Sequence, residues 1–364
     1  MSEKECKKFI KGFGILTALL LLAAAVLVIV FDPYFHYHAP ISPLKAIYTK
    51  KEYQLNGAVE HLDHDALMLG SSVTMNINSS DFDRAFGCST LKAVVSGAKC
   101  STLCYYLDKA YRYNDIKYVF WGLDPDQICY EPDEVPDQEQ VYYMRDKNPL
   151  NDVNYLWSMD VIFKEIPNMI AMSAHSDYDQ GLAYEFASQS VFGAQQALAT
   201  HQPEGDIHRM NSIDGEDFVR RINANMDMVE ALVAAHPETE YRFFFTVAGI
   251  LWWDIHYRSG NMERYFAAWK NAVERLDRYD NVTFYSGVFN SAGAVCDLSH
   301  YCDYCHADAQ INALQAASVI NGDRIITADT VDDEIDILRS IILDFEDRLT
   351  TEGNWDFLYS DGWY

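Results

Sequence analysis

Two groups of residues in this chain have the types and spacing of acyl-transfer chemistry. The first is Gly70-Ser71-Ser72, directly after the apolar run Asp65-Ala-Leu-Met-Leu69. A serine in a turn between a strand and a helix is exposed, and the first amide groups of that helix favour developing negative charge. The same three residues are ordinary turn composition, so taken alone they also read as a plain loop. The second group is Asp297-Leu-Ser-His300-Tyr-Cys-Asp303-Tyr-Cys-His306, in which two Asp-x-x-His pairs overlap. A serine nucleophile needs a base, and the base needs an orienting carboxylate. On spacing alone either pair, Asp297/His300 or Asp303/His306, meets that need from a single loop.

These residues must be held by a scaffold, and the pattern around them implies one. Short apolar runs over 65–69, 91–95, 118–123, 242–247 and 282–285 read as strands, with helices expected over about 102–114, 216–235 and 262–279. Alternation of this kind predicts an α/β fold, a parallel sheet with helices on both faces. Functional groups in such sheets sit at the carboxyl ends of strands, which is where Ser71-Ser72, Ser96-Gly97 and Asp124 fall. Residues 131–215 interrupt the alternation with Pro132, Pro136, Pro149 and Pro167, and read as an insertion over the sheet. The sheet domain is expected over 65–325 and a helical tail over 326–364, where Ile335, Leu338, Ile342 and Phe345 share one helix face.

Ahead of the sheet, residues 12–31 contain no charge, and at about 1.5 Å per residue such a helix spans roughly 30 Å, a bilayer's hydrocarbon core. Lys4, Lys7, Lys8 and Lys11 precede it, so residues 1–11 are expected in the cytoplasm and residues 32–364 outside. A cleaved signal would carry a shorter apolar region ending at a small-x-small site, whereas Val26 to Phe31 continue the run past Ala23-Ala24-Ala25. The partner of 12–31 is therefore the lipid bilayer, and 32–64, with Pro33, Pro40 and Pro43, is expected as a membrane-proximal connector.

Of 364 residues, 49% are hydrophobic and 23% charged, which excludes a disordered chain. The net charge of −26 argues against a nucleic-acid partner, because phosphate needs a basic face. Eight cysteines are too few and too irregular for a disulfide scaffold. Cys302-Asp-Tyr-Cys305-His306 matches the c-type haem attachment pattern, but the segment offers no axial ligand or apolar pocket nearby, and no second cluster completes a zinc site. A Cys302–Cys305 disulfide would stiffen the loop, and no cofactor or metal is expected. His36 and His38 read as packing or interfacial residues beside Asp32. Trp252-Trp253 reads either as a sugar-stacking platform or as core.

Taken together the blocks resemble the SGNH (GDSL-like) hydrolase superfamily, and more closely its membrane-anchored members from Gram-positive bacteria. The resemblance rests on Asp32-Pro-Tyr-Phe-His-Tyr-His38 after the anchor, Leu69-Gly-Ser-Ser-Val-Thr-Met-Asn76, Gly122-Leu-Asp124, and Tyr301-Cys-Asp-Tyr-Cys-His306 followed by Ile311-Asn312. It runs over about 1–325 and implies a three-layer α/β/α, flavodoxin-like fold. It aligns Ser72 with the family's nucleophile, Asp303 with the orienting acid and His306 with the base. Asp297 and His300 become the alternative pair. The amide groups of Ser72 and Gly97 align with two oxyanion donors.

Two departures qualify that alignment. Many relatives place an Asn at the position of Asp124, and an ionised Asp accepts hydrogen bonds but donates none to an oxyanion. Either Asn76 supplies the missing donor or activity is weak or absent. The second departure is Thr246-Val-Ala-Gly249, where relatives tend to carry a Pro-Pro-Tyr-Ser-like turn. The resemblance implies an anchored serine esterase or O-acyltransferase acting on acyl esters of cell-surface glycans. The alternative is a catalytically silent relative that binds glycan or scaffolds an envelope complex.

Overall fold

The computed structural model of the chain describes residues 2–132, 137–175, 178–202, 214–286 and 292–352. The chain divides into two compact units, Met1–Leu62 with Asp137–Gln180, and Asp63–Pro136 with Gly181–Tyr364. The division differs from the expected connector and insertion. Most of 32–64 shares a unit with 137–180, and the rest of the expected insertion belongs to the sheet unit.

In the first unit, α1 (Glu3–Phe31) starts at Ser2, whose side chain and Glu5 form a capping box. It runs on through the apolar stretch, exposes residues such as Phe13, Leu16 and Leu20, and is long and apolar enough to cross a membrane. Asp32 ends it in the left-handed conformation. Its buried carboxylate then accepts the backbone N–H groups of His36, Tyr37 and His38 at 2.7–3.0 Å and the Tyr155 hydroxyl at 2.7 Å. The Asp-Pro-Tyr-Phe-His-Tyr-His run is thus a turn wrapped around one carboxylate. His36 also meets Asp152 at 3.2 Å, a carboxylate far away in sequence. A second helix, α2 (Lys51–His61), buries Leu55, Ala58 and Val59.

The second unit is a six-stranded sheet of β1 (Ala66–Gly70), β2 (Thr90–Val94), β3 (Tyr118–Leu123), β4 (Glu240–Phe245), β5 (Val282–Tyr285) and β6 (Ile325–Ile326) in the order β2-β1-β3-β4-β5-β6. The first five are parallel, with Leu67 between Leu91 and Val119, and β6 runs antiparallel to β5. The order of the parallel five is that of flavodoxin-like doubly wound sheets, whose ligands bind where the winding direction reverses, here between β1 and β3. β6 was not expected, since two residues carry no periodicity.

Both faces of the sheet are covered because its strands are apolar on both sides. Met68, Phe120 and Phe244 pack with Phe82 of α3 (Ser79–Phe86) and with Ala316 and Val319 of the helix Ala309–Asn321. On the other face Trp121 lies over Phe243, and Phe245 stacks on Trp269 of the helix Met262–Leu276 at 4.2 Å. Each such burial contributes about 1.5–3 kcal/mol. The helices Cys100–Tyr113 and Gly215–Ala235 begin within two residues of their expected starts. The tail is helical over Val331–Glu352.

Candidate active site

β1 ends in Gly70, and the chain turns at once through Ser71-Ser72-Val73-Thr74, with the Thr74 N–H donating to Ser71 O at 3.1 Å. This turn folds back so closely that a Cβ at Gly70 would collide with the Thr74 side chain, and so would a Cβ at Gly122 in the neighbouring β3. Glycine in both strands is therefore what seats the turn against the sheet. Ser72 is carried just beyond the strand's carboxyl end.

The partner of Ser72 arrives from the far end of the chain. Tyr301 and Ala307 pair across an isolated bridge, and the Cys302 N–H donates to His306 O, which folds 301–307 into a tight loop. Its tip presents His306, whose Nε2 lies 2.7 Å from Ser72 Oγ while Nδ1 lies 2.7 Å from Asp303 Oδ2. The other Asp303 oxygen accepts the N–H groups of Cys305 and His306 at 2.8 and 2.7 Å. Burial alone would push this carboxyl up, but the His306 ring and those two N–H groups hold it below the ordinary range. Phe186 sets its ring perpendicular to the imidazole at 5.4 Å. Both imidazole nitrogens are thereby engaged in hydrogen bonds.

The alternative pair is turned to other work, a correction to its expected role. Asp297 accepts the Ser299 N–H at 2.9 Å, and His300 Nδ1 pairs with Asp308 at 2.7 Å, not with Ser72. Asp308 in turn caps the helix Ala309–Asn321. Asn76 is likewise corrected as an oxyanion donor. Its Nδ2 donates to Ala307 O at 3.1 Å, its Oδ1 accepts from Phe186 and Ala187, and it does not line the pocket. Its amide ties the serine turn to the histidine loop. The backbone N–H groups of Ser72 and Gly97 have no acceptor among the described residues.

A pocket of about 140 Å³ opens on this arrangement, and Ser72, Gly97, Asp124, Asp126, Trp252 and His306 are among its walls. Asp124 accepts from Thr246 Oγ1 at 2.5 Å, from Gln127 Nε2 at 2.9 Å and from the Ser71 hydroxyl. Burial pushes its carboxyl up, opposed by those three donors and by the charge of a protonated His306. Asp126 is pushed up to about 7, by burial and then by the charge of Asp124. Asp126, Gln127 and Phe186 carried no motif signal, because their roles depend on contacts that spacing does not encode. The Thr246–Gly249 turn has its own function here. Thr246 holds Asp124, and Gly249 lies so close to Tyr301 that a Cβ there would come within 2.9 Å of the ring. The two tryptophans divide: Trp253 is fully buried against Phe266, and Trp252 is half-buried in the pocket wall. Cys302 and Cys305 are free thiols, and burial raises both.

No family model matches the chain, and no curated protein matches it. Among solved structures it is similar to one described as a provisionally assigned platelet activating factor from Streptococcus pneumonia, with 11% identity and a TM-score of 0.37 over 74% of this chain and 89% of that one. Similarity of that depth decides nothing about chemistry, which rests on the geometry of the site itself.

Proposed function

We propose that the protein is a membrane-anchored, extracytoplasmic serine esterase or O-acyltransferase of SGNH type, acting on acyl esters of cell-surface glycans. The observation that carries this reading is the hydrogen-bonded chain Ser72–His306–Asp303 at the mouth of a pocket. Ser72 Oγ attacks the acyl carbonyl while His306 Nε2 takes its proton, and Asp303 holds the imidazole in the tautomer that can accept it. The oxyanion is met by the N–H groups of Ser72 and Gly97. Collapse expels the alcohol, which takes the proton back from His306. Water or a sugar hydroxyl then attacks the acyl-serine by the same route and restores Ser72. The anchor is α1, and the four lysines before its apolar run favour an external sheet unit.

Fluorophosphonate labelling of the full-length chain in detergent tests this without knowledge of the substrate. Wild type and His300→Ala should label, and Ser72→Ala and His306→Ala should not. A folded wild type that resists the probe, or a Ser72→Ala chain that still reacts, would sink the mechanism. One observation favours a second reading, a silent glycan-binding or scaffold protein: Asp124, an acceptor where a donor is wanted, sits in the same pocket. Glycan binding that survives Ser72→Ala, with no labelling of wild type, would select it.

A further inference from the structure

Part of the first unit turns apolar side chains outward. Leu150 is 82% exposed, and Met159 and Phe163 are each 68% exposed. Phe163, Pro167, Ile170, Ala171 and Ala174 are all exposed and follow helical spacing along the turns Val161–Glu165 and Ile166–Ser173. The opposite side is apolar as well, since Val161, Ile166 and Met169 are buried. A helical segment that is apolar all round needs an apolar neighbour on every side, and water is not one.

A separate observation identifies that neighbour. Val28 of α1 is fully buried in one cluster with Tyr155, Val161 and Ile166, and the Trp157 indole N–H donates to Leu21 O at 2.9 Å. Leu21 lies about 15 Å before Phe31 along the helix, half of a hydrocarbon core of about 30 Å. The segment is thus strapped beside the half of α1 that ends at Phe31. A membrane boundary at Leu21 would place the segment in water, but it would leave only residues 12–21, about 15 Å of uncharged helix, as the span. It would also strand the exposed Leu22, Val26 and Val30 of α1 in water. The charges near the segment balance: Asp160 pairs with Lys50 and lies 3.9 Å from Lys164, and Lys50 lies 3.5 Å from Glu165. Long lysine stems let their ammonium groups reach the headgroups while the methylenes stay in lipid.

We propose that residues 150–174 form a second membrane contact, seated in the leaflet at the Phe31 end of α1. Trp157, Met159, Phe163 and Ile170 lie among the acyl chains, and Asp160, Lys164 and Lys50 lie at the headgroups. This rests on the reading of α1 as a membrane anchor. The chain then holds the bilayer by two elements, which fixes the rotation of the first unit about the anchor as well as its height.

The test places one environment-sensitive fluorophore at a time on the full-length chain, in which the partly exposed Cys6, Cys88 and Cys302 are replaced by Ser. Phe163→Cys and Ile170→Cys probe the segment. Leu22→Cys reports the anchor, and Val219→Cys reports an exposed apolar position of the sheet unit. The chains are reconstituted in vesicles of phosphatidylcholine and phosphatidylglycerol, with a nitroxide on the lipid acyl chain or with iodide on both sides of the bilayer. Emission at 163 and 170 should be lost to the nitroxide lipid as it is at 22 and should resist iodide, whereas 219 should show the reverse. Iodide quenching at 163 and 170 with lipid quenching kept at 22 would overturn this inference and leave the anchor standing. Protection of 163 and 170 from both quenchers would also overturn it, since a protein and not lipid would then cover the segment. Iodide quenching at 22 would remove the anchor reading and this inference with it.

Discussion

A serine hydroxyl is a weak nucleophile until a base touches it, and in the proposed reaction that base is the His306 imidazole, which lies 2.7 Å from Ser72 Oγ and is held by a carboxylate with no free oxygen. Asp303→Asn keeps the shape but offers His306 the wrong hydrogen-bond partner, so labelling should slow by about 10⁴-fold with folding intact. His300→Ala should leave the labelling rate near wild type, since that ring serves Asp308. A stopped-time labelling series on the three chains would separate these expectations. Equal slowing by both variants would mean that the loop responds as a whole.

At the scale of elements, the serine turn is seated by absent side chains. Gly122→Ala should destabilise the protein by about 1–3 kcal/mol, the usual result of overpacking, because its methyl group meets Thr74. In Gly122→Ala/Thr74→Ala the loss should be smaller than the sum of the single losses, a coupling that denaturant unfolding can read. A second device joins the helix Ile250–Arg258, which carries Trp252, to the tail helix. Asp254 lies 2.7 Å from His201 and 2.6 Å from Arg258, and it shares a hydrogen bond with Glu346. The direction is that Glu346 keeps the proton, raised to about 8 by burial and by Asp254, while Asp254 stays ionised. Between the ordinary Glu value and about 8 the folded chain therefore binds more protons than the unfolded one. Its stability contribution is complete at low pH and is lost as pH rises through that window. Glu346→Gln should flatten this fall in thermal unfolding followed from acid to mildly alkaline pH. An identical slope in both chains would show that Glu346 is not the group responsible.

At the scale of the whole molecule, the chain pairs one bilayer-length helix with an acidic body. The first eleven residues carry +2 and residues 12–31 none, so the remainder carries −28. Such a body should be held to a membrane by the apolar helix and not by surface charge. High salt and alkaline carbonate should leave the protein in the membrane fraction, and detergent should release it. Protease added to intact spheroplasts should digest the body. Protection of the body in intact spheroplasts would reverse the orientation.

Some features follow from local pattern alone. An uninterrupted apolar stretch declares a bilayer-length helix, and alternating apolar runs declare a parallel sheet, because periodicity and length are written in consecutive residues. The strand ends that carry Ser72, Gly97 and Asp124 were legible for the same reason. The two-residue β6 was not, and neither was the membership of 137–180 in one unit with 1–62, since both depend on pairing between distant segments. Spacing left Asp297/His300 and Asp303/His306 equivalent. Only the path of the 301–307 loop, closed by the Tyr301–Ala307 bridge and tied to the serine turn through Asn76, brings His306 to Ser72 across 234 residues. A pair's spacing sets what it can do, while its direction is set by packing and hydrogen bonds that arise once distant segments meet.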